Sequence, residues 1–320
     1  MTKKIVITGA SGFVGSNLTR RLIALGHDIY LLLRPNCQTW RLNDVLSHVG
    51  TRFVQFQDIE SLYITLSEIK PDWIFHLACH GAYSWQTDWR EMVETNLLGS
   101  INMMECASKL GVSAFVNSGC FSEYGNASGA APESQNAAPQ DYYALTKSAQ
   151  TLTTQVSFKR KIFLPTLRLY SVYGPWQAPL DLIPNLILYG LKNTLPPNLE
   201  SPSSPQDYVY IDDVVNAYLN AAEKPPGRDL SPIYNVGTGT TTSMKELVDI
   251  SINEFGLNAK NKISVKTVQD TQTGANITKI RKSLDWYPCV ELEVGFKKFA
   301  TWFRENPEFV EMYKSKLAQT

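Results

Sequence analysis

Long apolar runs are missing from these 320 residues, and no stretch reaches the ~18 residues that a membrane-spanning helix needs. Neither sign of charge is in excess. Lysine plus arginine number 30, as do aspartate plus glutamate, so the basic surplus that marks nucleic-acid or membrane-surface binding is absent. The five cysteines (Cys37, Cys79, Cys106, Cys120 and Cys289) are odd in number and never fall into C-x-x-C spacing. That pattern excludes a disulfide framework and a zinc site, and it points to free thiols in a reducing compartment. No metal is expected. There is no internal repeat and no low-complexity tract. Because a core-like strand begins within a few residues of the start, the expectation is no signal peptide and a cytoplasmic location.

What is present is the composition of a soluble globular chain, 43% hydrophobic and 19% charged, long enough to bury a large core. The first β-branched run, from Lys4, enters a turn with glycines at Gly9, Gly12 and Gly15. An amphipathic stretch follows, with Val14, Leu18, Leu22 and Leu25 on one stripe, and then a second apolar strand ending at Arg34. A tight turn, a bare backbone and a helix N-terminus are what a dinucleotide pyrophosphate requires. Three glycines alone would be weak evidence, but between a strand and a helix they are strong.

Strands and helices then alternate. Thr51–Gln55, Trp73–Leu77 and Ala114–Asn117 read as strands, Ile59–Ile69 and Met92–Leu110 as helices. This rhythm predicts an α/β fold, a Rossmann-like doubly wound parallel sheet with helices on both faces. After Leu169 prolines multiply and the rhythm breaks. The expected division is residues 1–169, mainly the dinucleotide-binding domain, and 170–320, mainly a smaller α/β substrate lobe with some segments returning to the sheet. Ser201–Pro205 reads as a loop before a strand at Asp207–Tyr210.

Tyr143 and Lys147 stand four residues apart, so both project from one helix face. A nearby ammonium is expected to lower the phenol from its unperturbed value of ~10, which suits general acid–base exchange between alcohol and ketone.

The spacing G-x-x-G-x-x-G with Tyr143-Ala-Leu-Thr-Lys147 resembles the extended short-chain dehydrogenase/reductases, the epimerase/dehydratase family. The likeness extends over nearly the whole chain, through Phe75-His-Leu-Ala78, Asn96-Leu-Leu-Gly99, the run from Leu167 to Pro175, the run from Tyr208 to Val215, and Tyr234-Asn-Val-Gly-Thr-Gly239. It implies a nicotinamide cofactor held by Gly9, Gly12, Phe13, Val14, Gly15, Arg34, Asp58, Ile59, Leu77, Ala78, Ser118, Tyr143, Lys147 and Tyr170. It implies Tyr143, Lys147 and Cys120 as the catalytic set. On the substrate side it implies His80, Tyr83, Ser122, Ser171 and Gln206, with Trp85 in the same loop, and it makes His76 a packing residue. The resemblance also implies a homodimer through the Met92–Leu110 and Tyr143–Ser157 helices.

Departures from the family pattern speak about substrate and cofactor. Cys120 stands where the family has Ser or Thr, and a thiol is the weaker donor. Phe121-Ser122 replaces the Asp-Glu pair of the dehydratases, so dehydration is disfavoured. Gln206 and Gln269 stand where arginines usually hold the substrate diphosphate, and Ser171 stands where the family has Asn. Lys192, Arg228 or Lys279 could compensate, or the substrate could carry no diphosphate. Arg34 ends the second strand where NAD-using members carry an acid, which favours NADP(H), with NAD(H) possible.

The resulting expectation is an NADP-dependent reductase of a keto group, most like nucleotide-sugar 4-ketoreductases of the CDP-abequose synthase type. Three alternatives stand beside it: a redox-neutral 4-epimerase, a reductase of a non-nucleotide ketone, and a catalytically dead dinucleotide-sensing regulator. The partners expected are a small molecule and a second copy of the chain, with no nucleic acid and no membrane.

Overall fold

The computed structural model describes residues 2–126, 129–157, 162–196, 205–224, 230–258 and 274–317. In chain order the strands are β1 (Lys4–Thr8), β2 (Asp28–Leu33), β3 (Gly50–Phe53), β4 (Trp73–His76), β5 (Ala114–Cys120), β6 (Thr166–Leu169), β7 (Ser171–Tyr173), β8 (Tyr208–Tyr210) and β9 (Ile233–Val236). The helices are α1 (Phe13–Ala24), α2 (Ile59–Ile69), α3 (Trp89–Met92), α4 (Gly99–Leu110), α5 (Tyr142–Ser157), α6 (Leu182–Gly190), α7 (Ile211–Glu223), α8 (Met244–Phe255), α9 (Thr278–Leu284), α10 (Leu292–Glu305) and α11 (Pro307–Leu317).

Seven strands form one parallel sheet in the order β3-β2-β1-β4-β5-β6-β9, the doubly wound arrangement. Alternation along each strand divides the core in two. Ile5, Ile7, Leu31, Phe75 and Val116 face Leu18 and Leu22 of α1 and Val214 and Tyr218 of α7. Val6, Leu32, Ile74 and Phe115 face Leu62 and Leu66 of α2 and Met103 and Ala107 of α4. β7 and β8 make a separate parallel pair. The edge strand β9 comes from the C-terminal part of the chain and pairs along β6 from Thr166↔Ile233 to Leu169↔Val236. Among the described residues no helix is long and apolar enough to cross a membrane.

Local differences from the sequence reading have physical causes. β3 stops at Phe53 rather than Gln55, as expected of an edge strand paired only with β2. β5 runs on to Cys120 because β6 pairs with Asn117, Ser118, Gly119 and Cys120, residues with little strand preference of their own. The helix expected from Met92 begins at Trp89, where Asp88 caps the Arg90 N–H at 2.9 Å, and it passes through a π-helical turn at Val93–Leu98. Leu25, expected on the buried stripe of α1, is 45% exposed at the helix end.

Helices α10 and α11 close over the segment that follows β2. Phe309 of α11 sits 4.7 Å from Trp176 and 6.3 Å from Trp40, and the Tyr313 hydroxyl donates to the Gln177 carbonyl at 2.5 Å.

Candidate functional site

The strand order reverses between β1 and β4, and a crevice opens at their carboxyl ends, where ligands of such sheets bind. Gly9 leaves β1 with φ +69°, and a Cβ there would lie 2.5 Å from the Leu77 carbonyl carbon. A Cβ on Gly15 would lie 2.3 Å from the Gly9 oxygen. The loop, the end of β4 and the first turn of α1 therefore meet backbone to backbone, which side chains would prevent. Gly12 provides no side-chain cap for α1, so the first-turn N–H groups are suited to an anion.

The crevice is a cavity of about 840 Å³. Of the expected ligand residues, Gly9, Gly12, Phe13, Val14, Gly15, Arg34, Leu77, Ala78, Tyr83, Ser118, Cys120, Tyr143, Lys147 and Tyr170 line it. The glycine loop and the Tyr143/Lys147 helix thus share one chamber. Helix α5 starts there because Asp141 accepts the Ala144 N–H at 2.7 Å. Asn96, on the π-helical turn, accepts the His80 N–H, donates to the His80 carbonyl (both 2.8 Å), and reaches Thr146 beside Lys147 at 2.9 Å.

The electrostatics of this pair differ from the sequence expectation. The Lys147 ammonium, 2% exposed, donates to the Ser118 carbonyl and to Gln150 Oε1, both at 2.6 Å. Burial, then the neighbouring thiols of Cys120 and Cys79, push the Tyr143 phenol well above its ordinary value. Spacing places the two groups on one helix, yet burial and the thiols push the phenol up rather than down. Burial also pushes the Cys120 thiol up, against a hydrogen bond from the Ser122 hydroxyl at 3.0 Å.

Six expected residues lie off the cavity wall. The Asp58 carboxylate caps α2, accepting the Ser61 N–H at 3.0 Å, and Ile59 follows it in the first turn. His80 is turned toward Glu91, its Nδ1 3.3 Å from Oε1. Ser122 bonds Cys120 as above. Ser171 donates to Gln206 Oε1 at 3.1 Å, and Gln206 lies in a small cleft beside Tyr170 with Phe121, Tyr124 and Asp207. Lys192 and Lys279 pack over Tyr189 and Tyr234 and do not line the cavity; Arg228 and Gln269 fall outside the described residues.

His76 bridges the sheet and α4. The Ser100 hydroxyl donates to the Asn96 carbonyl, so His76 Nε2–H donates to Ser100 and Nδ1 accepts from Thr8, each at 2.8 Å. Burial, then the Lys147 charge, push this imidazole down to about 3. The unfolded chain, with histidine at ~6.5, therefore binds the extra proton between these values. Stability from this group is present above pH 6.5 and is lost as pH falls toward 3, by at most about 1.4 kcal/mol per pH unit. Urea melts of wild type and His76→Gln from pH 4 to 7 check this. The wild-type curve should fall more steeply with acid; equal slopes would remove the assignment.

Behind the cavity Glu123 is fully buried. Its Oε2 accepts from Arg168 Nε at 2.9 Å, and its Oε1 from the Cys120 N–H at 2.8 Å and Thr151 at 3.1 Å. Phe121 stacks on Tyr170, centroids 5.3 Å apart. Among the described residues no aspartate or glutamate lines the cavity, whereas Arg34, Arg41 and Lys147 do. Arg34 donates to Glu91 Oε1 at 2.6 Å, both side chains half exposed. Sequence reasoning missed Trp40, Arg41 and Cys79, which lie in irregular segments without motif or period.

Comparison with known proteins gives a consistent picture. A family model for the NAD dependent epimerase/dehydratase family matches residues 5–237. Protein CapI of Staphylococcus aureus is 26% identical, over 94% of this chain and 98% of its own. The UDP-glucuronate 4-epimerase of Thermodesulfobacterium geofontis is also 26% identical, over 97% and 98%. Among solved structures, the UDP-glucose 4-epimerase of Thermotoga maritima with UDP-glucose superposes with a TM-score of 0.83 at 26% identity, covering 94% of this chain and 99% of the other. With its glycine loop, switch-point cavity and Tyr143/Lys147 helix, this chain belongs to the NAD dependent epimerase/dehydratase family and is an enzyme of the extended short-chain dehydrogenase type that uses a nicotinamide dinucleotide.

Proposed function

We propose that the protein reduces the 4-keto group of a nucleotide-activated sugar, with residues 170–320 supplying most of the substrate lobe. The carrying observation is that Tyr143 shares the cavity of the glycine loop with Lys147 and stands beside the Cys120 thiol. A neutral phenol is the form that donates a proton to a ketone oxygen, while alcohol oxidation needs the phenolate. Nicotinamide, when bound, supplies hydride to the substrate carbon. Tyr143 gives its proton to the oxygen, with the Cys120 thiol beside it as a weak second donor, while the Ser118 hydroxyl is held by the Tyr218 hydroxyl. Lys147, tied to Ser118 and Gln150, holds α5 against β5. Expulsion of a hydroxyl would require an acid at the wall. Phe121 and Ser122 provide none, and Glu123 is committed to Arg168. Arg41 and Lys147, two cavity-lining cations with no carboxylate among the described lining residues, favour a polyanionic substrate over a plain ketone.

A second reading, a redox-neutral 4-epimerase, is favoured by the names of the relatives. One experiment separates the two. Stoichiometric consumption of NADPH with a 4-keto sugar nucleotide supports the reductase. Interconversion of UDP-hexoses without net cofactor change, followed by NMR, would replace it.

NADP(H) preference is part of the same proposal. The exposed Arg34–Glu91 pair contributes about 0–1 kcal/mol, less than the ~1.5–3 kcal/mol of a charge-assisted bond to a 2′-phosphate, so Arg34 can exchange partners. Arg34→Ala should weaken NADPH about tenfold or more and leave NADH nearly unchanged. Titration of both cofactors checks it, and a parallel loss would sink the claim.

A homodimer is proposed through α3–α5, where Trp89, Val93, Leu98, Leu145, Leu152 and Val156 are exposed, from 39% to 71%. Sedimentation showing a monomer at micromolar concentration would remove it.

A further inference from the structure

We propose that Arg41 is the residue that grips a diphosphate group in this cavity, an inference that rests on the nucleotide-sugar reading above only where the diphosphate is the substrate's. Arg41 is 8% exposed and lines the cavity. Its guanidinium lies 4.1 Å over the Trp40 ring, and Nε donates to the Trp176 carbonyl at 2.7 Å. One terminal nitrogen reaches the Ser11 carbonyl of the glycine loop only at 3.5 Å, and Arg41 also hydrogen-bonds the Tyr83 hydroxyl. Among the described residues no carboxylate oxygen lies within salt-bridge distance of it. Asp181, the carboxyl whose field it feels, is hydrogen-bonded by Gln177 and by the Ala178 backbone instead.

A guanidinium offers five donors and keeps its charge at any working pH. Burying such a charge without an opposite one is costly, and a bound anion removes that cost. Position points to a diphosphate. Arg41 stands between Ser11 of the glycine loop, at the N-terminus of α1, and Trp176, just before the cavity-lining residues Ala178, Pro179 and Leu180. Trp176, which orients it, is itself held by the Arg20 guanidinium at 3.9 Å and by Phe309 at 4.7 Å. The fork is therefore fixed before any ligand arrives, and its planar donor pair matches phosphate oxygens. Of the other wall cations, Lys147 is engaged by Ser118 and Gln150, and Arg34, paired with Glu91, is the one assigned above to the 2′-phosphate. The diphosphate could be that of the dinucleotide or that of the sugar nucleotide.

Calorimetric titration of wild type, Arg41→Met and Arg41→Lys tests this, with ADP-ribose and NADPH in one arm and UDP and dTDP in the other. Adenosine and uridine serve as phosphate-free controls. Arg41→Met should weaken one diphosphate class about 10–100-fold, with nucleoside affinity unchanged, and the affected arm names the source. Arg41→Lys, which keeps charge and stem but loses the fork, should lose about tenfold in the same diphosphate-to-nucleoside ratio. That variant carries the test if the methionine variant fails to fold. Wild-type binding left intact in both variants would overturn the role of Arg41 alone. Failure of the wild type to bind either class would overturn the nucleotide reading together with it.

Discussion

Tyr143→Phe should lose most turnover, about 10²–10⁴-fold, while its affinity for dinucleotide stays near wild type, because general acid catalysis contributes on that order. The substitution removes one oxygen from a buried side chain, the hydroxyl proposed above to pass the proton beside Cys120. Stopped-flow reduction of the substrate, alongside cofactor titration, checks both halves. Because burial holds the phenol protonated well past its ordinary range, the wild-type rate of reduction should not fall between pH 6 and 9 through loss of this proton. Full activity in the phenylalanine variant, or a wild-type rate that falls in that window on a single group absent from the variant, would remove Tyr143 from the mechanism.

Glu123→Ala should cost about 3–5 kcal/mol of folding stability, the range for breaking one side of a buried ion pair. The carboxylate serves Arg168, the Cys120 N–H and Thr151 at once, so its loss leaves a buried guanidinium and an unmet backbone donor. Burial pushes this carboxyl up despite the pull of Arg168, an indication that desolvation is a large opposing cost. Replacing both partners by apolar residues, Glu123→Leu with Arg168→Met, should therefore be less damaging than Glu123→Ala alone. Urea unfolding of the three proteins decides it; a double variant less stable than the single would contradict the account.

The parts of the site that could be read from sequence are those whose chemistry is local in the chain. The glycine turn is legible because a strand, Gly9, Gly12, Gly15 and a helix follow one another. Tyr143 and Lys147 are legible because one helical turn separates them. Partnerships made in three dimensions were not. Spacing suggested that Lys147 acts on the phenol, but its ammonium is drawn to the Ser118 carbonyl of β5. Ser171 and Gln206 matched substrate positions of a family pattern, yet they bond to each other across β7 and β8. Asp58 matched a cofactor position of the family pattern and serves as a helix cap. Arg41 carries no motif, and its partners Trp40 and Trp176, far apart in sequence, meet each other and Phe309 of α11 only in three dimensions. The fold class needed only the alternation of short elements, which tertiary packing confirmed strand by strand.

The arrangement of β9 has a consequence for synthesis. Until residues 233–236 have left the ribosome, β6 has an unpaired backbone edge. At a synthesis rate of about 5–20 residues/s, the delay between completing β6 and completing β9 is roughly 3–13 s. Over that interval the nascent chain carries a six-strand sheet with a sticky flank, Thr166–Leu169, open to strand pairing with any other chain nearby. Its yield in a cell thus depends on what shields that flank while the last strand is still being made.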